Sequence, residues 1–347
     1  MKKTMAYIVT VLLLLSCVAC QKEPPEDEGK ENPEGYLFSI PGDESFLQMK
    51  SLGDGFALLS RYEGKWIVSY ANTEIMLLTE TLLTLQARNE KTPVFHTFSD
   101  SGEFGFIYLD HRLFFVSMHT AQYAEYTLPA DVDLSTALYH GGEFYYTVGE
   151  YILCSGYDFS SYSVLNTGKI ENFGGLAALD NKTQTLFFAT KDDTGFTGIS
   201  SLLRGTPEIT PVLKIAFDTF MPLQDGYVIL IRNQKDGKTY IRLNCVTGET
   251  NELYVSLKRN YRAVDISGNG AYLIGVSYKD VNNTQTVVDV YDMVSQSVIQ
   301  RYNMVYASLY NVIAMSNNGR YILYCRNTLD GRVVCYLDLK EVISNRI

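Results

Sequence analysis

Five positions in this chain pair a long cation with a polar or aromatic neighbour in turn-forming surroundings: Arg61-Tyr62, Lys191-Asp192, Arg232-Asn233, Lys279-Asp280 and Arg326-Asn327. A sixth place of the same kind holds Asp110-His111. Guanidinium, ammonium and amide donors gathered around one opening would suit a polar or anionic ligand, and Arg can grip a carboxylate or phosphate through two parallel bonds. The ligand-binding set expected on this basis is Arg61, Tyr62, Asp110, His111, Lys191, Arg232, Lys279 and Arg326. Against it stands a plainer reading. Turns favour Asn and Asp, long cations are readily solvated at strand ends, and a net charge of −10 does not focus anions.

Other residues capable of chemistry are thinly spread. Cys154, Cys245, Cys325 and Cys335 sit in strand-like runs such as Tyr-Ile-Leu-Cys and Val-Val-Cys-Tyr, the setting of buried thiols. Cys325 and Cys335 flank a hairpin. A three-residue loop, Leu329-Asp330-Gly331, would set them opposite each other for a disulfide, whereas a two-residue Asp-Gly turn would shift the register and separate them. His96 and His119 lie in strand-like runs where a hydrogen-bonded structural imidazole is the simpler reading. Asp131, Asp133 and Ser135 alternate oxygen ligands but lack the glycine and closing glutamate of a calcium loop. There is no G-x-S-x-G, H-E-x-x-H or phosphate-binding loop, and no C-x-x-C beyond the leader, so no catalytic residue, metal or cofactor is expected. A pair of carboxylates meeting across the fold would leave no such mark in the sequence.

The elements that position these residues come from a repeat. Tyr (26) and Phe (17) are abundant in a chain that is 46% hydrophobic, a composition suited to pleated, half-buried surfaces. The turn Ser316-Asn-Asn-Gly319-Arg-Tyr321 lies between two apolar runs, and related punctuation begins at Leu52, Ser99, Tyr139, Asp180, Leu223 and Ser267. In the Asp180 copy Thr183 stands where the others have glycine. Successive anchors are 47, 40, 41, 43, 44 and 49 residues apart. In the sixth copy, strand-like runs at 262–266, 272–277, 286–291 and 297–302 give four strands in one period, the blade of a β-propeller. The S-x-x-G-x-[YF] turn, with Val-Tyr-Asp292 and Tyr-Leu-Asp338 in the third strands, resembles YVTN-type and WD-repeat-like propellers over residues 35–347. There is no Gly-His pair and no Trp-Asp dipeptide, so the hydrogen-bond network of strict WD repeats does not carry over. The expected fold is therefore all-β, a seven-bladed propeller. Its last unit lacks a clear fourth strand, and 36–40 is predicted to supply one and close the ring, removing two open sheet edges.

The N-terminus has a separate logic. Lys2 and Lys3 precede an apolar run too short to span a bilayer as a helix, the pattern of a secretory leader over residues 1–20. Leu14-Leu15-Ser16-Cys17 and Cys17-Val18-Ala19-Cys20 both resemble the lipobox of bacterial lipoprotein precursors, which implies lipidation at Cys17 or Cys20 and anchoring in the cell envelope. An ordinary cleaved secretory signal is the other reading. Residues 21–34 hold six acidic residues, two Lys and three Pro and no large hydrophobe, and read as a disordered tether. An acidic stretch there also resembles the surface-export signal of some Gram-negative lipoproteins. Residues 35–347 form the propeller domain and carry the remaining net charge of −8, which argues against nucleic acid and against a basic membrane-binding surface.

The expected function is a lipid-anchored, exported, non-enzymatic binding or scaffold protein for an envelope protein, peptide or glycan. The alternative is an extracellular hydrolase or lyase acting on a glycan through carboxylates in the central channel.

Overall fold

The computed structural model describes residues 34–40, 47–53, 55–62, 65–73, 77–83, 94–97, 104–109, 112–117, 120, 122–128, 132–140, 142–149, 151–156, 161–166, 170–180, 182–223, 225–278, 285–305, 313–328, 331–340 and 343. The leader, both lipobox cysteines, nearly all of the tether, Asp110, His111, His119, Asp131 and Lys279 lie outside them.

The described strands form seven antiparallel sheets of four strands each, arranged as the blades of a propeller. In six blades the strands follow chain order from the axis outward. In blade six they are Ala263–Ile266, Tyr272–Tyr278, Gln285–Asp292 and Ser297–Val305, close to the four runs read from the sequence. Blade seven is the exception. Its inner three strands are Ile313–Met315, Tyr321–Thr328 and Gly331–Asp338, and its outer strand is Glu34–Ile40 from the other end of the chain. The predicted closure is therefore present, with Glu34 opposite Leu337 and Ile40 opposite Arg332. The strand begins at Glu34, one residue inside the segment read as tether.

Seven buried apolar clusters explain why the sheets stand radially. Each lies between two neighbouring blades, including the seam between blades seven and one. In the second strand of blade one, Phe56 and Leu58 pack towards blade seven while Ala57 and Leu59 pack towards blade two. Both faces of such a strand must leave water, so its apolar run is continuous rather than alternating. The outer strands alternate or are exposed, as in Tyr123–Thr127 and Thr250–Ser256.

The repeated turn has a local cause. In blade seven Ser316 Oγ accepts the Tyr321 N–H at 2.9 Å, and the Gly319 N–H donates to the Ser316 carbonyl at 2.9 Å. In blade six Ser267 Oγ accepts the Tyr272 N–H at 3.0 Å, and the Gly270 N–H donates to Ser267 at 2.8 Å. Both serines are buried, so their hydroxyls replace lost solvent bonds. Gly319 has φ +78°, and a Cβ there would meet the Tyr272 ring of blade six at 2.3 Å. Backbone conformation and close approach both require glycine at this position. In blade four, which lacks the glycine, Gln184 takes the left-handed conformation at φ 57° instead.

These turns also join the blades. The Asn317 Nδ2 donates to the Gly53 carbonyl at 3.0 Å, the Asn269 N–H to the Asn317 carbonyl at 3.2 Å, and Arg242 Nη2 to the Asn269 carbonyl at 3.0 Å. The chain of bonds runs across blades five, six, seven and one, and puts their first turns on one face of the ring. That face is the turn face below. The hairpins joining second and third strands emerge at the opposite ends of the sheets, on the hairpin face.

Candidate functional site

The antiparallel register fixes where the sequence-predicted residues fall. Arg61 pairs with Trp66, Tyr62 with Lys65, Lys191 with Phe196, Arg232 with Thr239 and Arg326 with Val333, all at the hairpin ends of second strands. The Arg61 guanidinium is exposed and lies 5.7 Å from the centroid of the largely buried Trp66 ring, a cation–π arrangement. Lys191 is exposed, its strand end fixed by a 2.8 Å bond from its N–H to the Asn172 carbonyl. Asp192 beside it accepts from the Thr194 hydroxyl and N–H at 2.6 and 2.7 Å, and those bonds hold its carboxyl below the usual range. Arg232 turns outward instead: its Nη2 is 3.7 Å from Glu252 on the outer strand Thr250–Ser256. Tyr62 and Arg326 are placed by their backbones alone.

Sequence reasoning missed the tyrosines on this face. Tyr151 begins the third strand of blade three at the hairpin, opposite Val148, and is exposed. Tyr254 pairs with Thr239 near the hairpin end of blade five and is also exposed. The signal available was position, because Tyr151 follows Gly149-Glu150 at a tight turn, where an aromatic ring has no core to enter.

The inner strands carry a second feature that the sequence did not single out, set between two blades. Asp265, on the inner strand of blade six, accepts the Met315 N–H of the inner strand of blade seven at 2.7 Å. Burial pushes its carboxyl up to about 6; the Met315 and Ile266 N–H groups and the positive Lys50, on the inner strand of blade one, pull the other way. A carboxyl poised there exchanges a proton near neutral pH. Among the described residues, no three His, Cys, Asp or Glu side chains converge as metal ligands would.

Two further polar clusters tie elements together. Arg204, in the third-to-outer turn of blade four, donates to both oxygens of Glu143 in blade three at 2.9 and 3.3 Å, and Tyr145 donates to the same carboxylate at 2.7 Å. The Arg204 bond is the largest influence on Glu143 and lowers its pKa; burial raises Tyr145 and pushes the neighbouring Cys154 thiol up to about 11, leaving it a poor nucleophile. Asp289 of blade six is held by Arg301 at 2.7 and 3.2 Å and by the Tyr261 hydroxyl.

The register also settles the disulfide question. Cys325 pairs with Val334 and Cys335 with Tyr324, so the two thiols are one residue out of register and enter different cores. All four cysteines of the described residues are buried, and Cys325 and Cys335 are not joined to each other. Thr328 pairs with Gly331, which leaves two residues in the connection rather than the three that would have aligned them.

Fold and geometry together define the class: a closed seven-bladed β-propeller whose first and last strands share a blade. Comparison of the sequence with protein-family models finds no match. Comparison with curated proteins finds none either. Among solved structures the chain is similar to an oligogalacturonate lyase in complex with manganese, with a TM-score of 0.56 and 10% identity over 90% of this chain and 99% of that one. It is also similar to the structure of U3-55K, with a TM-score of 0.50 and 11% identity over 88% and 98% of the two chains. Likeness at this level of identity shows the fold alone.

Proposed function

We propose that this chain is a lipid-anchored, exported propeller that works as a non-enzymatic binding or scaffold protein, presenting its hairpin face to an envelope protein, peptide or glycan. The observation that carries the reading is the set of exposed cations and aromatics on that face, Arg61, Lys191, Tyr151 and Tyr254, with Arg61 lying over the buried Trp66 ring. Arg, Tyr and Trp are the residue types that dominate binding hot spots, because each offers large contact area and directed polar groups. The described hairpins at 192–195 and 234–237 are short and close between paired strands, so little ordering entropy is lost there on binding. Membership of the YVTN-type and WD-repeat-like propellers, lipidation at Cys17 or Cys20, and envelope location are parts of the same proposal. They rest on the sequence patterns given above.

The test is affinity capture of the tagged full-length chain from its native envelope, identifying both proteins and glycans. One partner should be recovered consistently, and Arg61→Ala with Lys191→Ala should reduce its recovery at least about tenfold, the loss of roughly 1.4 kcal/mol. Recovery unchanged by the double substitution would refute the hairpin face as the site. Asp265 supports a second reading, a channel enzyme acting on an extracellular glycan, because a carboxyl near 6 can serve as a general acid or base. Turnover of a polysaccharide that is abolished by Asp265→Asn would replace the binding reading with that one.

A further inference from the structure

The turn face carries an apolar pattern that no core absorbs. The third-to-outer connections of five consecutive blades each bring a large exposed apolar or aromatic side chain to this face. These are Tyr123 in blade two, Tyr162 (66% exposed) in blade three, Leu203 and Ile209 in blade four, Val246 (53%) in blade five and Val294 (61%) in blade six. Their strand partners confirm the placement. Tyr162 pairs with Ser155 at the end of a third strand, Leu202 with Ile209, and Asp292 with Ser297 across the turn that contains Val294. A Cβ on Gly226, in the first turn of blade five, would meet Val246 at 3.2 Å, which puts that valine beside the turn that defines the face. Scattered surface hydrophobes are ordinary, but recurrence in or beside the same third-to-outer connection of adjacent blades makes a rim.

The chain also enters the ring on this face. Glu34 lies opposite Leu337, at the end of the third strand of blade seven and next to Asp338, which pairs with Tyr321 just after the first turn. Glu34, the point where the preceding chain joins the propeller, therefore lies on the side of the apolar rim. With 21–33 read as the flexible tether of the sequence analysis, its mean span is about 20 Å. Strands of about eight residues put the hairpin face roughly 25 Å farther from the entry point. An anchor at the start of that tether therefore favours contact by the turn face over contact by the hairpin face.

We propose that the turn face rests on the bilayer holding the N-terminal lipid, with Tyr123, Tyr162, Leu203, Val246 and Val294 entering the headgroup region of neutral phospholipid. This inference relies on the lipid-anchor reading above. Charge selects the lipid class. Arg204 and Arg320 on this face are each held by a carboxylate, Glu143 and Asp338, at 2.9 and 3.1 Å. The exposed cations Lys182 and Lys340 on this face are outnumbered by the exposed carboxylates Glu208, Asp225 and Glu249, which add no attraction for anionic lipid. Contact is therefore made by apolar insertion and is insensitive to salt. Each exposed side chain contributes modestly, and the tether turns their sum into an intramolecular event at high effective concentration. The hairpin face is left pointing away from the membrane, free for a partner.

The experiment uses the full lipidated chain reconstituted in phosphatidylcholine vesicles carrying bromine high on the acyl chains. Val294→Trp probes the turn face, and Lys191→Trp the hairpin face. The native Trp66, 7% exposed, contributes a constant background. Interfacial side chains sit roughly 5–10 Å deep, so Val294→Trp emission should fall about twofold in brominated vesicles, equally at low and high salt, while Lys191→Trp emission does not change. Flotation of the same vesicles reports the anchor separately. A chain that floats with Val294→Trp unquenched, or with Lys191→Trp quenched instead, overturns the orientation. A chain that does not float overturns the anchor reading, and the membrane contact with it.

Discussion

Asp289→Ala tests whether a buried ionic cluster fixes blade six to the segment that leads into it. The segment begins with a single 3-10 turn, Leu257–Arg259, capped by Ser256 Oγ on the Lys258 N–H and ended by Asn260 at φ 49°. That left-handed cap redirects the chain so that Tyr261 crosses the second strand of blade six. Gly275 makes room for it: a Cβ there would meet the Tyr261 ring at 2.7 Å. The Tyr261 hydroxyl then reaches Asp289, directly opposite Gly275 in the sheet, and lies 2.7 Å from the Tyr291 hydroxyl. Arg301 closes the cluster through two bonds, and Arg259 approaches to 3.9 Å. The Asp289 side chain is 1% exposed and that of Arg301 11%. Removing the carboxylate leaves a guanidinium almost without solvent, which costs about 3–5 kcal/mol.

Two companions separate charge from shape. Asp289→Leu with Arg301→Met removes both ions, and such replacements are near neutral or stabilising, so the double variant should recover most of the loss. Gly275→Ala forces Tyr261 away without touching a charge and should cost about 1–3 kcal/mol. The assay is equilibrium unfolding in guanidinium chloride, read as a shift in midpoint at unchanged slope. A loss below about 1 kcal/mol for Asp289→Ala would refute the account, since exposed pairs are worth no more than that. So would a double variant as unstable as the single one, because the cost would then be packing.

Closure of the ring is tested by comparing chains that start at residues 34 and 41. Loss of the outer strand of blade seven, with its six paired positions, should lower stability by several kcal/mol at about 1 kcal/mol per hydrogen bond, measured by thermal unfolding. Asp265 should give a pH signature. Its carboxyl is raised to about 6 in the fold, so the native state holds the extra proton between roughly 4 and 6 and stability from this group falls as pH rises through that window. Asp265→Asn should therefore gain on the parent by about 1–3 kcal/mol more at pH 7.5 than at pH 4, and an equal difference at both would show that the carboxyl is unshifted. Gly319→Ala should destabilise by more than about 1 kcal/mol, because it strains a left-handed residue and drives a methyl into Tyr272; wild-type stability would mean that the turn opens freely.

The blade count was legible because it rests on a local pattern repeated many times, and the closing strand because the last copy lacked a fourth. The serine of S-x-x-G-x-[YF] is spaced to accept the N–H of the aromatic residue, and the glycine takes a conformation few residues tolerate. Blade four shows how far such a pattern bends, because Gln184 accepts the left-handed turn without a glycine in its copy. The candidate cations could be assigned to strand ends from the same punctuation, yet the direction of a long side chain depends on neighbours far away in sequence. Arg232 leans outward because Glu252, on the outer strand, lies within reach, and nothing near residue 232 encodes that partner. Asp265 was silent for the same reason. Its acceptor role towards Met315 spans 50 residues and exists only once two blades stand side by side. The cysteine pair turned on a single residue of register, which the Leu-Asp-Gly run left open and the Thr328–Gly331 pairing closes. What the repeat encodes is the scaffold, and what distinguishes this propeller from another lies in contacts between repeats. The tests that decide its function therefore act on single side chains at blade ends, where the ring would keep its shape while losing its ligand.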